Sequence, residues 1–217
     1  MINLGVLVSG SGTNLQAIID AIEAKKLKCS IGVVISNSHG AYAVHRAKRH
    51  NIPVEIIPNN IANTREDYDT IIIDTLKRYS VDLVVMAGFM RLLTPKFVRA
   101  FPMRIMNIHP ALLPAFPGLN VQRKAVEYGV KFSGATVHFV DEGVDTGPII
   151  IQSAVPVYDD DTAETLRQRI LKEEHKIYPY AIQLFVEGRL EVKGRRVIVK
   201  EHPKIKGSMQ NPCYADD

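Results

Sequence analysis

The chain has 217 residues, 46% hydrophobic and 23% charged, with 14 Gly and 12 Pro, an ordinary globular composition with length enough to bury roughly 70% of its unfolded surface around one core. Its net charge is +4 and its pI about 9.0, but Lys and Arg are spread along the chain with no arginine-rich arm. That argues against a nucleic-acid partner and for a mild positive field that attracts small anions. Two distant cysteines, Cys29 and Cys213, suggest neither a zinc site nor a disulfide framework. With no signal-like N-terminus and no apolar run near the ~20 residues of a membrane span, a cytoplasmic protein without metal or membrane partner is expected.

Ile2 to Val8 is a short apolar strand, followed by Ser9-Gly10-Ser11-Gly12-Thr13-Asn14 and a helix carrying Leu15, Ile18 and Ile22 at helical spacing. A glycine loop at a helix N-terminus exposes N–H groups that suit a phosphate. Two specific forms of that loop do not fit. The dinucleotide fingerprint wants a small residue where Leu15 stands and an acid after the second strand, which here runs Ile31 to Ile35 into Ser36-Asn37-Ser38; the Gly-Lys-Ser/Thr of a P-loop is absent. A monophosphate cradle or a plain tight turn remains.

A helix over Tyr42 to His50 and a strand Val54 to Ile57 come next. After the loop 58–63, Tyr68, Ile71, Ile72, Thr75, Leu76 and Tyr79 mark one helical stripe, capped by Asn63 or Thr64. Arg65, in its first turn, opposes the macrodipole; it is either a solvated surface residue or the partner of a ligand carboxylate. Asp82 to Met86 reads as a central parallel strand, ending in Ala87-Gly88-Phe89-Met90-Arg91-Leu92-Leu93. This apolar loop lies where open α/β sheets bind ligands and either walls a flat aromatic ligand or covers the core.

The strand through Ile105 and Met106 carries Asn107-Ile108-His109-Pro110. Side chains two apart share a face, so Asn107 and His109 stand side by side where Pro110 stops the strand. They form either a chemical pair or a structural hydrogen bond beside a turn. Ala111 to Gly118 reads as a mobile flap, Val121 to Tyr128 as a short helix, and Gly134 to Val140 as a strand carrying His138, more plausible as a satisfied structural histidine than a catalytic one. Asp141, Glu142 and Asp145 give the next loop three carboxylates, and a strand Ile149 to Val155 follows. Asp161-Thr162-Ala163-Glu164 is read as a capping box opening a long helix with a stripe of Ala163, Leu166, Ile170 and Ile177. Glu174 falls on that stripe, where a carboxylate is expensive unless paired or used; otherwise the helix rotates and lets it reach solvent. His39, His45, His50, His175 and His202 are read as surface or structural. A hairpin, Arg189 to Val192 and Arg196 to Val199, precedes a tail with little core-forming content. Alternating strands and helices predict an α/β fold with a mostly parallel sheet.

Taken together, Ser9 to Gln16, Ala87 to Arg91, Asn107-Ile108-His109-Pro110 with Leu112-Leu113-Pro114, and Val137 to Val140 leading to Asp145-Thr146-Gly147 resemble the folate-dependent formyltransferases, from residue 1 to about 190. The resemblance implies a Rossmann-like formyltransferase fold: one domain over 1–200, with a phosphate-binding half of about 1–100 and a folate and catalytic half of about 101–200, then a tail over 201–217. It implies transfer of a formyl group from 10-formyltetrahydrofolate to the amine of glycinamide ribonucleotide in purine synthesis, without metal, by a monomer or homodimer. Asn107, His109 and Asp145 match the catalytic residues. Gly12, Thr13 and Asn14 match the phosphate loop, with Glu174 on the ribonucleotide. Arg65, Met90, Arg91, Leu92, Leu93, Asp141, Glu142, Gly143, Val144 and Asp145, with Asn107, match the folate site.

Three positions depart from the family's usual pattern: Gln122 and Ser133, where strongly polar residues are common, and Leu171, where a polar or basic side chain often stands three residues before Glu174. Within the family, a methionyl-tRNA formyltransferase would carry a sizeable C-terminal domain, and a formyltetrahydrofolate deformylase, a hydrolase, an N-terminal one. A non-catalytic module that binds a phosphorylated metabolite leaves Asn107, His109 and Asp145 unexplained.

Overall fold

In the computed structural model, which describes residues 1–201 and Asn211, β1 (Asn3–Val8), β2 (Ser30–Ser36), β3 (Val54–Ile56), β4 (Leu83–Met86), β5 (Ile105–His109), β6 (Phe132–Phe139), β7 (Ile149–Pro156), β8 (Leu190–Lys193) and β9 (Arg196–Val199) form one sheet in the order β3-β2-β1-β4-β5-β6-β7-β9-β8. The pairings from β3 to β5 are parallel; β6 then runs antiparallel to both β5 and β7. The expected mostly parallel α/β sheet is thus found, continuous through both halves of the chain, with β9 lying parallel to β7 and extending it by the hairpin.

Among the described residues six helices cover the sheet: α1 (Thr13–Glu23), α2 (Tyr42–Arg49), α3 (Arg65–Arg78), α4 (Pro95–Ala100), α5 (Val121–Tyr128) and α6 (Ala163–Val186). The period-2 alternation of the strands divides the core. Leu4, Val6, Val8, Met106 and Ile108 pack with α1, α2 and the C-terminal half of α6. Leu7, Val84 and Ile105 point the other way, onto α3 and α4. All four residues of β4 are buried, as a strand covered on both faces requires. Tyr178 of α6 ties the two central strands: its hydroxyl lies 3.0 Å from the carbonyls of both Met86 and Met106 and donates its proton to them.

Two local readings need correction. The cap of α6 is Thr162, paired with Thr165, not Asp161 with Glu164. Asp161 is drawn off by Arg169, whose guanidinium grips it at 2.6 and 2.8 Å and holds its carboxyl far below the usual carboxylate range. Helix α4 was not foreseen, although Thr94 caps it and Pro95 opens it, the usual start signals. The α3 cap is Thr64, and the turn before α4 is held by the buried Asp69, which accepts from the Thr94 N–H at 2.7 Å. The tail expectation falls mostly outside the described residues, as do His202 and Cys213; Asn211 donates to the carbonyls of Lys131 and Val157.

Candidate active site

The glycine loop leaves β1 and enters α1. Gly12 sits at the N-cap with φ 70°, and a Cβ there would come within 2.6 Å of the Ala43 side chain. Glycine is needed on both counts. No side chain caps α1, so the first N–H groups of the helix are open to an anion. Two neighbours fix the loop: the Ser9 hydroxyl accepts from the Met90 N–H at 2.8 Å, and the Ala43 N–H donates to the Gly10 carbonyl.

Opposite the loop stands Glu174, 6% exposed. The helix does not rotate it to solvent. Asn14 donates to its carboxylate at 2.7 Å across 160 residues of sequence, and burial pushes its carboxyl above the ordinary carboxylate range, with the Asn14 bond, His109 and Arg167 pulling the other way. Among the described residues the Asn14 side-chain oxygen, Oδ1, is buried without a partner. Turning the amide over would set that oxygen against the carboxylate, so the orientation is fixed by charge. An orphaned acceptor beside an acid suits a ligand that donates, a hydroxyl or an amine. These groups line a cavity of about 220 Å³ with Gly10 to Asn14, Pro110, Gln122, Arg167 and Leu171.

On β5, Asn107 and His109 share a face, as the strand period requires, and the antiparallel register sets Asn107 opposite His138 of β6. His138 is 1% exposed, and burial pulls its ring below the usual imidazole value. The neutral ring donates from Nδ1 to the Phe139 carbonyl at 2.8 Å and accepts at Nε2 from the Asn107 amide at 3.2 Å. His138 is therefore satisfied, as expected, and it also aims the Asn107 N–H₂, leaving one N–H free. Its Nε2 lone pair faces Asp145 Oδ1 at 3.7 Å, too far for a bond.

His109 takes the other carboxylate oxygen. Its Nδ1 is 3.4 Å from Asp145 Oδ2, and its Nε2 is 2.9 Å from the Phe116 carbonyl. Nε2 is hydrogen-bonded to the Phe116 carbonyl, whereas Nδ1 faces the Asp145 carboxylate as a close charge approach. Asp145 adopts φ 55°, in the left-handed region, and its Oδ2 also accepts from the Gly118 N–H at 2.9 Å. The segment read as a flap is tied down here at Phe116 and Gly118, and at its root the Leu113 N–H donates to the Thr136 hydroxyl.

A second cavity, about 260 Å³, opens on the far side of Asn107, lined by Met86, Leu92, Leu93 and Val140, by Arg65 and Arg91, and by Asp141 to Asp145. Arg65 donates to the Leu92 carbonyl at 2.8 Å, and Arg91 stacks 3.9 Å above the Tyr68 ring. Met90 instead lines the first cavity. Apolar walls with two cations at the rim fit a flat ring bearing a carboxylate tail. All the predicted site residues except His109 line one of the two cavities, Asn107 and Asp145 on the second, and His109 joins them through its approach to Asp145. A roomier recess, about 750 Å³ between α1 and α6, holds none of those three. Sequence reasoning missed Arg167, which looks like a solvated helix residue, and the part His138 plays toward Asn107, which depends on strand register. Among the described residues no cluster of three or more His, Cys, Asp or Glu is set to hold a metal, and no helix is long and apolar enough to cross a membrane.

A family model described as formyl transferase matches residues 2–182. Phosphoribosylglycinamide formyltransferase of Escherichia coli K12 is 43% identical over 88% of this chain and 90% of its own length. The trifunctional purine biosynthetic protein adenosine-3 of Drosophila melanogaster is 49% identical over 85% of this chain, which spans 14% of that protein. Among solved structures, glycinamide ribonucleotide transformylase 1 from Symbiobacterium toebii superposes with a TM-score of 0.90 at 53% identity, covering 92% of this chain and 94% of that one. A formyltetrahydrofolate deformylase from Pseudomonas syringae does so at 0.86 and 27% identity, covering 91% and 65%.

Proposed function

The chain belongs to the formyl transferase family, and from that premise we propose that it transfers the formyl group of 10-formyltetrahydrofolate to the amine of glycinamide ribonucleotide, a step of purine synthesis. The observation that carries this reading is that Asn107 and Asp145 line the second cavity, His109 meets Asp145 at 3.4 Å, and Pro110, next in the chain, lines the first; the first cavity suits a phosphorylated ligand that donates hydrogen bonds, the second a flat ring with an anionic tail. Arg65, Arg91, the 90–93 loop and the 141–145 loop are read as the folate's contacts; Gly12, Thr13, Asn14 and Glu174 as the ribonucleotide's.

Attack of an amine on a formyl carbon creates a tetrahedral oxyanion. The free Asn107 N–H and a protonated His109 donate to it, and one such donor is typically worth ~10²–10³ in rate. Asp145 faces the ring from the Nδ1 side and orients it. The amine loses a proton and the folate nitrogen gains one, a transfer His109 is placed to serve directly or through a water, worth roughly 10²–10⁴. For Nε2 to take part, the Phe116 carbonyl has to leave it, which gives the flap a task. The same reading takes the protein to work in the cytoplasm on small molecules, without nucleic acid or membrane, as a monomer or homodimer with one domain over 1–200.

The test mixes the protein with both substrates and follows tetrahydrofolate by absorbance, with a control lacking the ribonucleotide. Ribonucleotide-dependent turnover supports the transferase. Deformylation without the ribonucleotide points to a hydrolase, and no turnover in either cuvette points to a binding module.

A further inference from the structure

Arg167 sits two turns before Glu174 on α6, on the same face. Both line the 220 Å³ cavity with the Gly10 to Asn14 backbone, and among the described residues Arg167 is the one cationic side chain that does so. Leu171, one turn away on that wall, offers no polar atom. A phosphate monoester carries a charge of about −1.5 to −2 near neutral pH. The helix N-terminus opposes it with only about half a charge, and Glu174 adds an acid to the same cavity. The phosphate therefore lacks a counter-charge unless Arg167 supplies it.

The guanidinium is held ready for that task. Its Nε and Nη2 each donate to Glu164 at 2.7 Å. Those two bonds use one edge of a group with five N–H donors, and Nη1 makes no hydrogen bond among the described residues. The side chain is about half exposed, at 47%, so it is not locked into the core, and its charge already reaches Glu174. We infer that Arg167 is the phosphate-binding cation of this site: Glu164 grips one edge of the guanidinium, and the other meets a phosphomonoester seated on the Gly10–Asn14 backbone. The inference rests on the ribonucleotide reading of this cavity given above.

Calorimetric titration with ribose 5-phosphate tests it without requiring turnover. Arg167→Met should bind this probe roughly tenfold to hundredfold more weakly than the wild type, the range of a hydrogen bond to a charged group. Arg167→Lys should fall between. Glu164→Gln, which breaks the same ion pair but keeps the guanidinium, should change the affinity less than about threefold. In the transfer assay Arg167→Met should raise KM for glycinamide ribonucleotide while kcat and KM for the folate stay within about twofold. Equal binding by wild type and Arg167→Met, or an equal loss in Glu164→Gln, overturns the assignment; if ribonucleotide-dependent turnover persists, the transferase reading stands without it. A wild type that binds ribose 5-phosphate through Arg167 but never turns over the ribonucleotide would uphold the assignment and overturn the transferase.

Discussion

The Nδ1 of His109 lies 3.4 Å from Asp145 Oδ2, and the same oxygen accepts the Gly118 amide at 2.9 Å. One carboxylate thus supports the imidazole and fastens the segment that covers it. His109→Ala should lower kcat by about 10²–10⁴ with substrate binding retained. Asp145→Asn keeps the shape but loses the charge facing the imidazole, so kcat should fall while substrate binding is retained. Steady-state kinetics of both variants check this, and a kcat for Asp145→Asn within twofold of wild type counts against the Asp145 role.

Asn107 is expected to act only once charge develops. Asn107→Ala should reduce kcat by roughly 10²–10³ and leave KM for the ribonucleotide nearly unchanged. His138→Ala frees the amide it aims, so it should lower kcat in the same direction by a smaller factor. Steady-state kinetics separates the two, and a kcat within twofold of wild type for His138→Ala would reduce that residue to packing.

Glu174 should reveal a conflict between stability and binding. Its carboxyl is raised by burial, so the folded state holds this proton more tightly than the unfolded chain. That contribution is fully present below about pH 4.5, the ordinary glutamate range, and is lost as pH rises through the folded value. Glu174→Gln should therefore melt higher than wild type at pH 8, by roughly 2–4 °C for each kcal/mol relieved, and the gap should close in acid. Affinity for the ribonucleotide should fall at the same time. Thermal melts at pH 4 and pH 8 decide it, a variant less stable at pH 8 being the contrary outcome.

Tyr178 should matter for stability without touching a substrate. Tyr178→Phe removes the proton shared by the Met86 and Met106 carbonyls, leaving buried acceptors unsatisfied at a cost of about 1–3 kcal/mol. The urea midpoint should drop with the m-value unchanged.

The sheet, nearly every helix and the pairing of Asn107 with His109 follow from period and punctuation, because those signals are local. Glu174 was legible for the opposite reason: a carboxylate on an apolar stripe violates the local rule, and such violations mark used residues. What could not be read was anything set by register or by competition between side chains. The approach of His138 to Asn107 needs the β5–β6 alignment. The α6 cap moved by one residue because Asp161 prefers Arg169, eight positions on. Arg167 was overlooked because an exposed arginine looks the same whether it faces water or a cavity, although its spacing of seven from Glu174 was in plain view.

The hydrogen bond between Asn14 and Glu174 joins α1 to α6. Contacts of such long sequence separation are closed late in folding, after the entropy of the intervening loop has been overcome. A nascent chain that has emerged only through β5 already owns a complete glycine loop, yet the acid that faces it is still unmade. On the ribonucleotide reading, that cavity is assembled only once α6 has docked against the loop.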